Sequence, residues 1–167
     1  MSTKQSTRAH RGSPSALKEN LSRGASTHAA EALKRAFERA EDSKLKILQR
    51  PDMLNGEALG AQLGLTRATV DNRRQAGKLL ALDFGSKRGF RYPSWQRELL
   101  EDQRRREAYE RVLNRLQSVG AWSRYRFFTQ RSPALQGQSP LEALLGGADE
   151  SVLRAADTWA TGEQGGG

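Results

Sequence analysis

Residues 54–77 constrain the fold more than any other part of the chain. Leu59 and Leu63 are spaced four apart, which places both on one face of a short helix. Gly60 leaves room on that face for a second helix to cross closely. Gly64 then predicts a left-handed residue that ends the first helix.

The residues after this glycine predict a second short helix. Leu65 fills the turn, and the hydroxyl of Thr66 can cap the next helix. Val70 returns an apolar contact one turn later, and Gly77 suits the position just beyond the helix end. Two short helices that cross in this way form a helix-turn-helix.

The exposed side of the second predicted helix is polar and basic. Arginine pairs with guanine edges and asparagine with adenine, while further cations suit phosphates. We therefore expect Arg67, Thr69, Asn72 and Arg73 to enter a DNA major groove. Arg74 is also expected on this exposed side.

The pattern after Gly77 changes to that of a β-hairpin. Residues 79–84 and 90–93 predict two strands, and residues 85–89 predict a turn with glycine at both ends. Three cations, Lys87, Arg88 and Arg91, lie at or beside this turn. A cationic hairpin next to a helix-turn-helix is a wing, which would hold phosphate or the minor groove. The alternative is a helix pair with a solvated hairpin that binds no nucleic acid.

The distribution of charge supports a basic front and an acidic end. The formal net charge is +9. Residues 132–167 contain one cation, Arg154, and five carboxylates, giving −4, so residues 1–131 carry +13. A polyanion would meet the first three quarters of the chain, and a different kind of partner the last quarter.

Several function classes are disfavoured by composition. The chain has no cysteine, and its two histidines, His10 and His28, lie in or beside the N-terminal tail. We expect no catalytic site, metal or cofactor, and do not expect an enzyme. No apolar run approaches the roughly 20 residues of a membrane span, and the N-terminus has no secretory signal. These features predict a cytoplasmic protein that does not bind a membrane.

The N-terminal third divides into a tail and a helix. Residues 1–27 are predicted to be a disordered basic tail, because they offer little apolar surface to bury. Residues 28–49 have a helical pattern that ends before Pro51. The helix would support the helix-turn-helix by packing, with a dimer contact as the alternative. Residues 28–96 together form the predicted DNA-binding domain.

The remaining chain predicts helices only. Residues 97–118 form a connector helix, whose run Arg104–Arg106 is either a solvated face or a phosphate contact. Residues 119–160 form a small helical module, in which Ser139 caps a helix and Pro140 takes its first position. We expect the module to need support from the connector or a partner. Residues 161–167 are predicted to be a flexible tail, and the fold class is mainly α.

The helical module resembles the toxin-binding domain of Xre/MbcA/ParS-type bacterial antitoxins. The resemblance is carried by Ala121-Trp122, Phe127-Phe128, the run PALQGQSPLEALL over residues 133–145, and VLRAA over residues 152–156. The hairpin also resembles the segment that joins such modules to their DNA-binding part. Two features depart from the family pattern. Ser132 stands where an asparagine is frequent, and Gly146-Gly147 lacks the usual polar residue before the glycine. The first half is not the longer Xre-type domain.

This resemblance implies an antitoxin that binds a cognate toxin and represses its own operon. The toxin would be of the RES type, which consumes NAD, while the antitoxin itself needs no cofactor. The implied toxin-binding residues are Leu135, Gly137, Pro140, Leu141, Leu144, Val152, Leu153 and Trp159. Trp159 is either an interface anchor or the closure of the module's core. The expected partners are promoter DNA, the toxin and a second copy in a homodimer. The alternative is a freestanding transcription regulator whose C-terminal module dimerises it.

Overall fold

The structure is a computed structural model that describes residues 14–164. In this range the chain is mainly helical, with one small antiparallel sheet. It divides into two compact units, Met1–Lys44 and Leu45–Gly167. The elements are α1 (Pro14–Leu48), β1 (Met53–Leu54), α2 (Gly56–Leu63), α3 (Arg67–Gln75), β2 (Leu82–Asp83), β3 (Phe90–Pro93), α4 (Gln96–Glu101), α5 (Gln103–Arg115), α6 (Ala121–Thr129), a 3-10 turn (Pro133–Leu135), α7 (Pro140–Leu145) and α8 (Asp149–Gln164).

The first unit is helical throughout its described part. Residues 14–27, predicted to be disordered, belong to α1, and the rest of the predicted tail lies outside the described residues. The prediction considered only burial, whereas proline at the first helical position and ion pairs four residues apart favour an exposed helix. Two such pairs are Glu19 with Arg23 at 3.3 Å and Glu31 with Arg35 at 3.2 Å.

The face of α1 that was expected to pack is exposed. Leu33 and Phe37 retain 59% and 63% of their accessible surface. In the second unit, Leu48 at the end of the same helix is buried. The predicted supporting role is therefore corrected: the last turn of α1 contributes to the core, and the face around Leu33 and Phe37 does not.

The second unit begins with a three-stranded antiparallel sheet and two short helices. The strand order is β1-β3-β2, with Leu54 opposite Tyr92 and Leu82 opposite Arg91. Helices α2 and α3 lie between the first two strands in sequence. Asn55 caps α2 by accepting a 2.8 Å hydrogen bond from the backbone of Ala58.

The turn between α2 and α3 has the local features expected from the sequence. Gly64 is left-handed, with φ 65°, and Thr66 accepts a 3.2 Å hydrogen bond from the backbone N–H of Thr69. A β-carbon added at Gly60 would lie 2.6 Å from the carbonyl oxygen of Leu65. Glycine at position 60 thus lets the backbone of the turn between α2 and α3 approach α2 closely.

The predicted connector helix is two helices. Asp102 separates α4 from α5 with extended backbone angles, φ −99° and ψ 131°. Its side chain accepts a 2.9 Å hydrogen bond from the backbone N–H of Arg105, which makes it the N-cap of α5. Leu99 and Leu100 in α4 and Tyr109 in α5 are all buried, so the helices on both sides of the break contribute to the core.

The C-terminal helices begin and end close to the predicted points. Ser139 and Glu142 form a reciprocal capping box at the start of α7, with Pro140 in the first turn, which confirms the predicted cap. Helix α8 extends to Gln164, so residues 161–164 of the predicted flexible tail are helical. Residues 165–167 lie outside the described part of the chain.

One aromatic cluster joins the two ends of the second unit. The Tyr109 and Phe128 rings lie 5.3 Å apart, and Trp95 packs on Phe128 at 5.4 Å. Contacts therefore run from the sheet region through α5 into α6, across the predicted boundaries at residues 96 and 118. Among residues 14–164, no helix is both long and apolar enough to cross a membrane.

Candidate nucleic-acid interface and a C-terminal groove

Helix α3 carries polar side chains on two different faces. Thr69, Asn72 and Arg73 follow one another at spacings of three and one, so they share a face. Arg67 and Arg74 are seven residues apart and lie on a second face. The sequence placed all five on the exposed side, but only Arg67 and Asn72 are exposed, while Thr69, Arg73 and Arg74 are half-buried. The guanidinium of Arg74 lies 3.9 Å from the ring centre of Phe90 in β3.

The hairpin turn holds its cations outward by its backbone. The backbone N–H of Phe84 donates to the carbonyl of Gly89 at 2.8 Å, and that of Gly89 donates to Gly85 at 2.9 Å. Both glycines are left-handed, with φ 93° and 65°. Lys87 and Arg88, between them, are exposed.

Stacking on an aromatic ring orders two of the hairpin arginines. Arg88 and Arg91 lie 4.7 Å and 4.9 Å from the ring centre of Phe84. Arg91 also donates a 2.9 Å hydrogen bond from Nη1 to the carbonyl oxygen of Arg88. Because these contacts restrict the side chains before any ligand arrives, less conformational entropy is lost on binding.

A polar cleft of about 400 Å³ separates α3 from the hairpin. Four of the seven predicted DNA-binding residues line it: Arg67, Lys87, Arg88 and Arg91. Glu57 and Asp71 also line it, so cations outnumber carboxylates four to two. The other three predicted residues, Thr69, Asn72 and Arg73, share the separate face of α3. The structure thus assembles the predicted set as two adjoining groups.

The base of the cleft contains a residue that the sequence did not single out. Tyr92 is 1% exposed and lines the cleft between α3 and the hairpin. Burial raises the pKa of its hydroxyl, and the positive charge of Arg74 opposes that shift. The phenol is therefore neutral at physiological pH.

A second concavity, the C-terminal groove, lies among α6, the 3-10 turn and α8. Its volume is about 520 Å³. Phe127, Pro140, Ala155 and Trp159 supply apolar lining, and Arg131 and Arg154 add cationic side chains that are exposed. Such a mixture of apolar lining and a few charges is typical of a site that accepts a partner's side chains.

Most of the predicted toxin-binding residues are buried in the core beneath the groove, and most do not line it. Leu135, Pro140, Leu144, Val152 and Leu153 are buried, while Leu141 and Trp159 are half-buried and Gly137 is exposed. Pro140 and Trp159 are the two that line the groove. The motif of the resemblance therefore builds the core of the C-terminal helices. Arg154, Ala155 and Thr158, which line the groove from α8, were not predicted.

Trp159 closes the groove by contacts to α6. Its indole Nε1–H donates a 2.9 Å hydrogen bond to Ser123 Oγ, and its ring packs edge-on to Phe127 with centres 5.7 Å apart. Trp159 consequently closes the core of the module and also lines the C-terminal groove, while its role as an interface anchor stays a prediction.

The acidic C-terminal segment is matched by arginines of the same chain. The five pairs are Asp149–Arg104 at 3.4 Å, Glu150–Arg111 at 3.4 Å, Asp157–Arg115 at 2.7 Å, Glu163–Arg126 at 3.3 Å and Glu142–Arg131 at 3.7 Å. Every carboxylate of residues 132–164 thus has an arginine of the same chain beside it, and the expectation that this segment meets a different kind of partner stays a prediction. The Arg104 predicted as a possible phosphate contact is one of these.

Comparison with known proteins adds no relative. No protein-family model matches the chain, and neither a curated protein nor a solved structure matches it. The resemblance to antitoxins therefore depends on the motif residues themselves.

Proposed function

We propose that this protein is a DNA-binding repressor, and that its second unit contains a winged helix-turn-helix. The observation that carries the proposal is the cleft at which Arg67 of α3 meets Lys87, Arg88 and Arg91 of the hairpin. A helix and a hairpin that share one cationic surface suit the adjacent groove and backbone of duplex DNA. Within the second unit, the two short helices α2 and α3 are followed directly by the hairpin of β2 and β3, which is the order that a helix-turn-helix with a wing requires.

The two groups of polar residues would contact different parts of the DNA. Thr69, Asn72 and Arg73 would face base edges in the major groove, with Arg67 at the border of the same surface. The hairpin cations would hold phosphate or the minor groove. Paired copies would bind a palindrome whose half-sites are about one helical turn apart.

A gel-shift titration on the protein's own promoter tests this proposal. Replacing Arg73 and Arg88 together by alanine should weaken binding at least tenfold. It should lower the slope of log K against log salt by about 0.9, because Arg88 is the phosphate contact of the two and Arg73 faces base edges. The matched control replaces Arg111 and Arg115, which removes the same charge from the ion pairs with α8. Equal losses in both double variants would contradict the assignment.

We propose further that the C-terminal groove binds a cognate toxin, which makes the protein a cytoplasmic antitoxin without enzymatic activity or cofactor of its own. The groove supports this because it is apolar, carries Arg131 and Arg154, and is built by the motif on which the resemblance depends. A RES-type toxin that consumes NAD is the implied partner. The alternative remains a freestanding regulator whose C-terminal helices dimerise it.

Co-expression with the product of the adjacent gene distinguishes the two functions. The wild-type chain should co-purify with that product, and Thr158→Lys, an exposed change in the groove, should abolish capture. Thr161→Lys, three residues along the same helix and outside the groove lining, should retain it. A homodimer without a partner that still binds promoter DNA would favour the freestanding regulator.

A further inference from the structure

One face of helix α1 is free of charge over eighteen residues. Between Ser26 and Ser43 the charged side chains are Glu31, Lys34, Arg35, Glu38, Arg39, Glu41 and Asp42. The uncharged face consists of Ser26, Ala29, Ala30, Leu33, Ala36, Phe37, Ala40 and Ser43. Within this face, the spacing alternates between four and three residues along Ser26, Ala30, Leu33, Phe37 and Ala40. This is the spacing of the a and d positions of a coiled coil.

This uncharged face is exposed along its whole length. Each of its eight residues is exposed, and Leu33 and Phe37 keep more than half of their surface. Leaving such side chains in water forgoes the free energy that their burial would release. An isolated helix is also only marginally stable in water, because most helical stability in proteins comes from packing an apolar face. The exposed apolar side chains of this face thus indicate that another surface packs on it.

We propose that the face is covered by the same face of a second copy, and that the two α1 helices pair in antiparallel orientation. In heptad positions, Ala30 and Phe37 take a, and Leu33 and Ala40 take d. The g positions are Ala29, Ala36 and Ser43, whose small side chains let the two helices approach closely. This inference goes beyond the proposed function and does not depend on DNA binding.

The charges beside the seam favour the antiparallel orientation. The e positions hold Lys34 and Glu41. When two copies cross antiparallel with their centre near Phe37, Lys34 of each copy lies beside Glu41 of the other, which gives two complementary pairs. A parallel pair lacks these contacts. It would also place Lys44, at the next a position, opposite its own equivalent.

The pairing has a consequence for the rest of the molecule. A dimer made by α1 uses residues 26–43 of the first unit, none of which lines the C-terminal groove. Dimerisation then does not need the second unit. The freestanding-regulator alternative, in contrast, requires the C-terminal helices of that unit to dimerise the protein.

The first test measures the mass of the full chain by sedimentation. The wild type should sediment as a dimer of twice 18.5 kDa. Leu33→Lys combined with Phe37→Lys should give a monomer, because it places two charges in the seam. Leu21→Lys is the matched control: Leu21 is equally exposed, at 67%, but lies off the uncharged face, so the variant should stay dimeric. A monomeric wild type, or a dimeric double variant, would overturn the proposal.

The second test determines the orientation. Because the chain has no cysteine, Ser26→Cys gives a single site for a nitroxide spin label. In an antiparallel pair centred near Phe37 the two labels lie about 35 Å apart along the axis, from a rise of 1.5 Å per residue. In a parallel pair they lie about 10 Å apart, at the distance between helix axes. The short distance would overturn the antiparallel arrangement.

A charge exchange provides an independent check. Lys34→Glu alone should raise the dimer dissociation constant several-fold, and Glu41→Lys added to it should restore the wild-type value. Arg35→Glu, which changes the same charge at the outer f position, should have little effect. Failure of the second change to restore dimerisation would exclude the Lys34–Glu41 pairing.

Discussion

Tyr109 Oη donates a 2.6 Å hydrogen bond to Gln96 Oε1, and both side chains are fully buried. The same amide oxygen accepts from the backbone N–H of Leu80 at 2.8 Å, and the amide nitrogen donates to the Leu80 carbonyl at 2.9 Å. Gln96 thus connects the segment before β2 to α5. Burial raises the pKa of the Tyr109 hydroxyl, so the phenol stays protonated and can act as donor.

Removing the two partners should have unequal effects on stability. Tyr109→Phe deletes one donor but leaves Gln96 bonded to Leu80, so it should cost about 1 kcal/mol. Gln96→Leu leaves the backbone groups of Leu80 and the Tyr109 hydroxyl buried without partners, and should cost about 3 kcal/mol or more. Urea denaturation of the full chain measures both. A larger loss for Tyr109→Phe would contradict this account of the network.

Two glycine-to-alanine changes should have opposite signs. Gly60→Ala would place a β-carbon 2.6 Å from the Leu65 carbonyl, so the turn after α2 must shift and stability should fall by more than about 1 kcal/mol. Gly24→Ala lies in the exposed helix α1 with nothing within 4 Å, and should favour helix by about 0.5–1 kcal/mol. Thermal melts followed by circular dichroism at 222 nm test both.

The capping box at α7 should contribute to acid sensitivity. The backbone N–H of Ser139 donates to Glu142 at 2.8 Å, which lowers the pKa of that carboxyl, and Arg131 acts in the same direction. Because the folded pKa is depressed, the stabilisation is present above the ordinary value of 4.5 and is lost as the pH falls through the folded value. Glu142→Gln should lower the Tm near pH 7 and reduce the further fall between pH 5 and pH 3.

The control for this experiment is Glu98→Gln, an exposed glutamate in the first turn of α4. Its Tm profile should follow that of the wild type over the same range. A Glu142→Gln profile parallel to the wild type at all pH values would mean that the capping box does not couple to protonation.

Phe84 should matter to the proposed DNA contact without carrying charge. Phe84→Leu keeps an apolar side chain but removes the ring on which Arg88 and Arg91 stack. We expect promoter affinity to fall three- to tenfold, while the salt slope stays unchanged because the number of cations is unchanged. A reduced slope would show that the arginines had left the interface altogether.

The features predicted from sequence are those governed by near neighbours in the chain. The roles of Gly64, Thr66 and Ser139 depend on backbone conformation and caps within a few residues, and these were predicted correctly. The cap at Asp102 was equally local, but the polar run that follows it resembles a continuous exposed helix. Gln96 could not be assigned, because its partners lie 13 and 16 residues away and no pattern links them.

The candidate site divides in the same way. Helical spacing and glycine-flanked turn chemistry gave Arg67, Arg88 and Arg91, which line one cleft. Spacing alone did not show that Arg74 turns inward, because that depends on the position of Phe90 in a strand formed later in the chain. The resemblance identified Leu144 and Val152, but their burial follows from how the helices pack.

The five ion pairs between residues 104–131 and residues 142–163 also bear on how such a chain can be recombined. Each surface pair is worth little by itself. Together they form a matched set, with the acids in one segment of the chain and their arginines in the preceding one. A chimera in which residues 132–167 come from another protein would leave the five arginines of residues 104–131 beside foreign side chains. Exchange of residues 104–131 together with residues 132–167 keeps all five ion pairs.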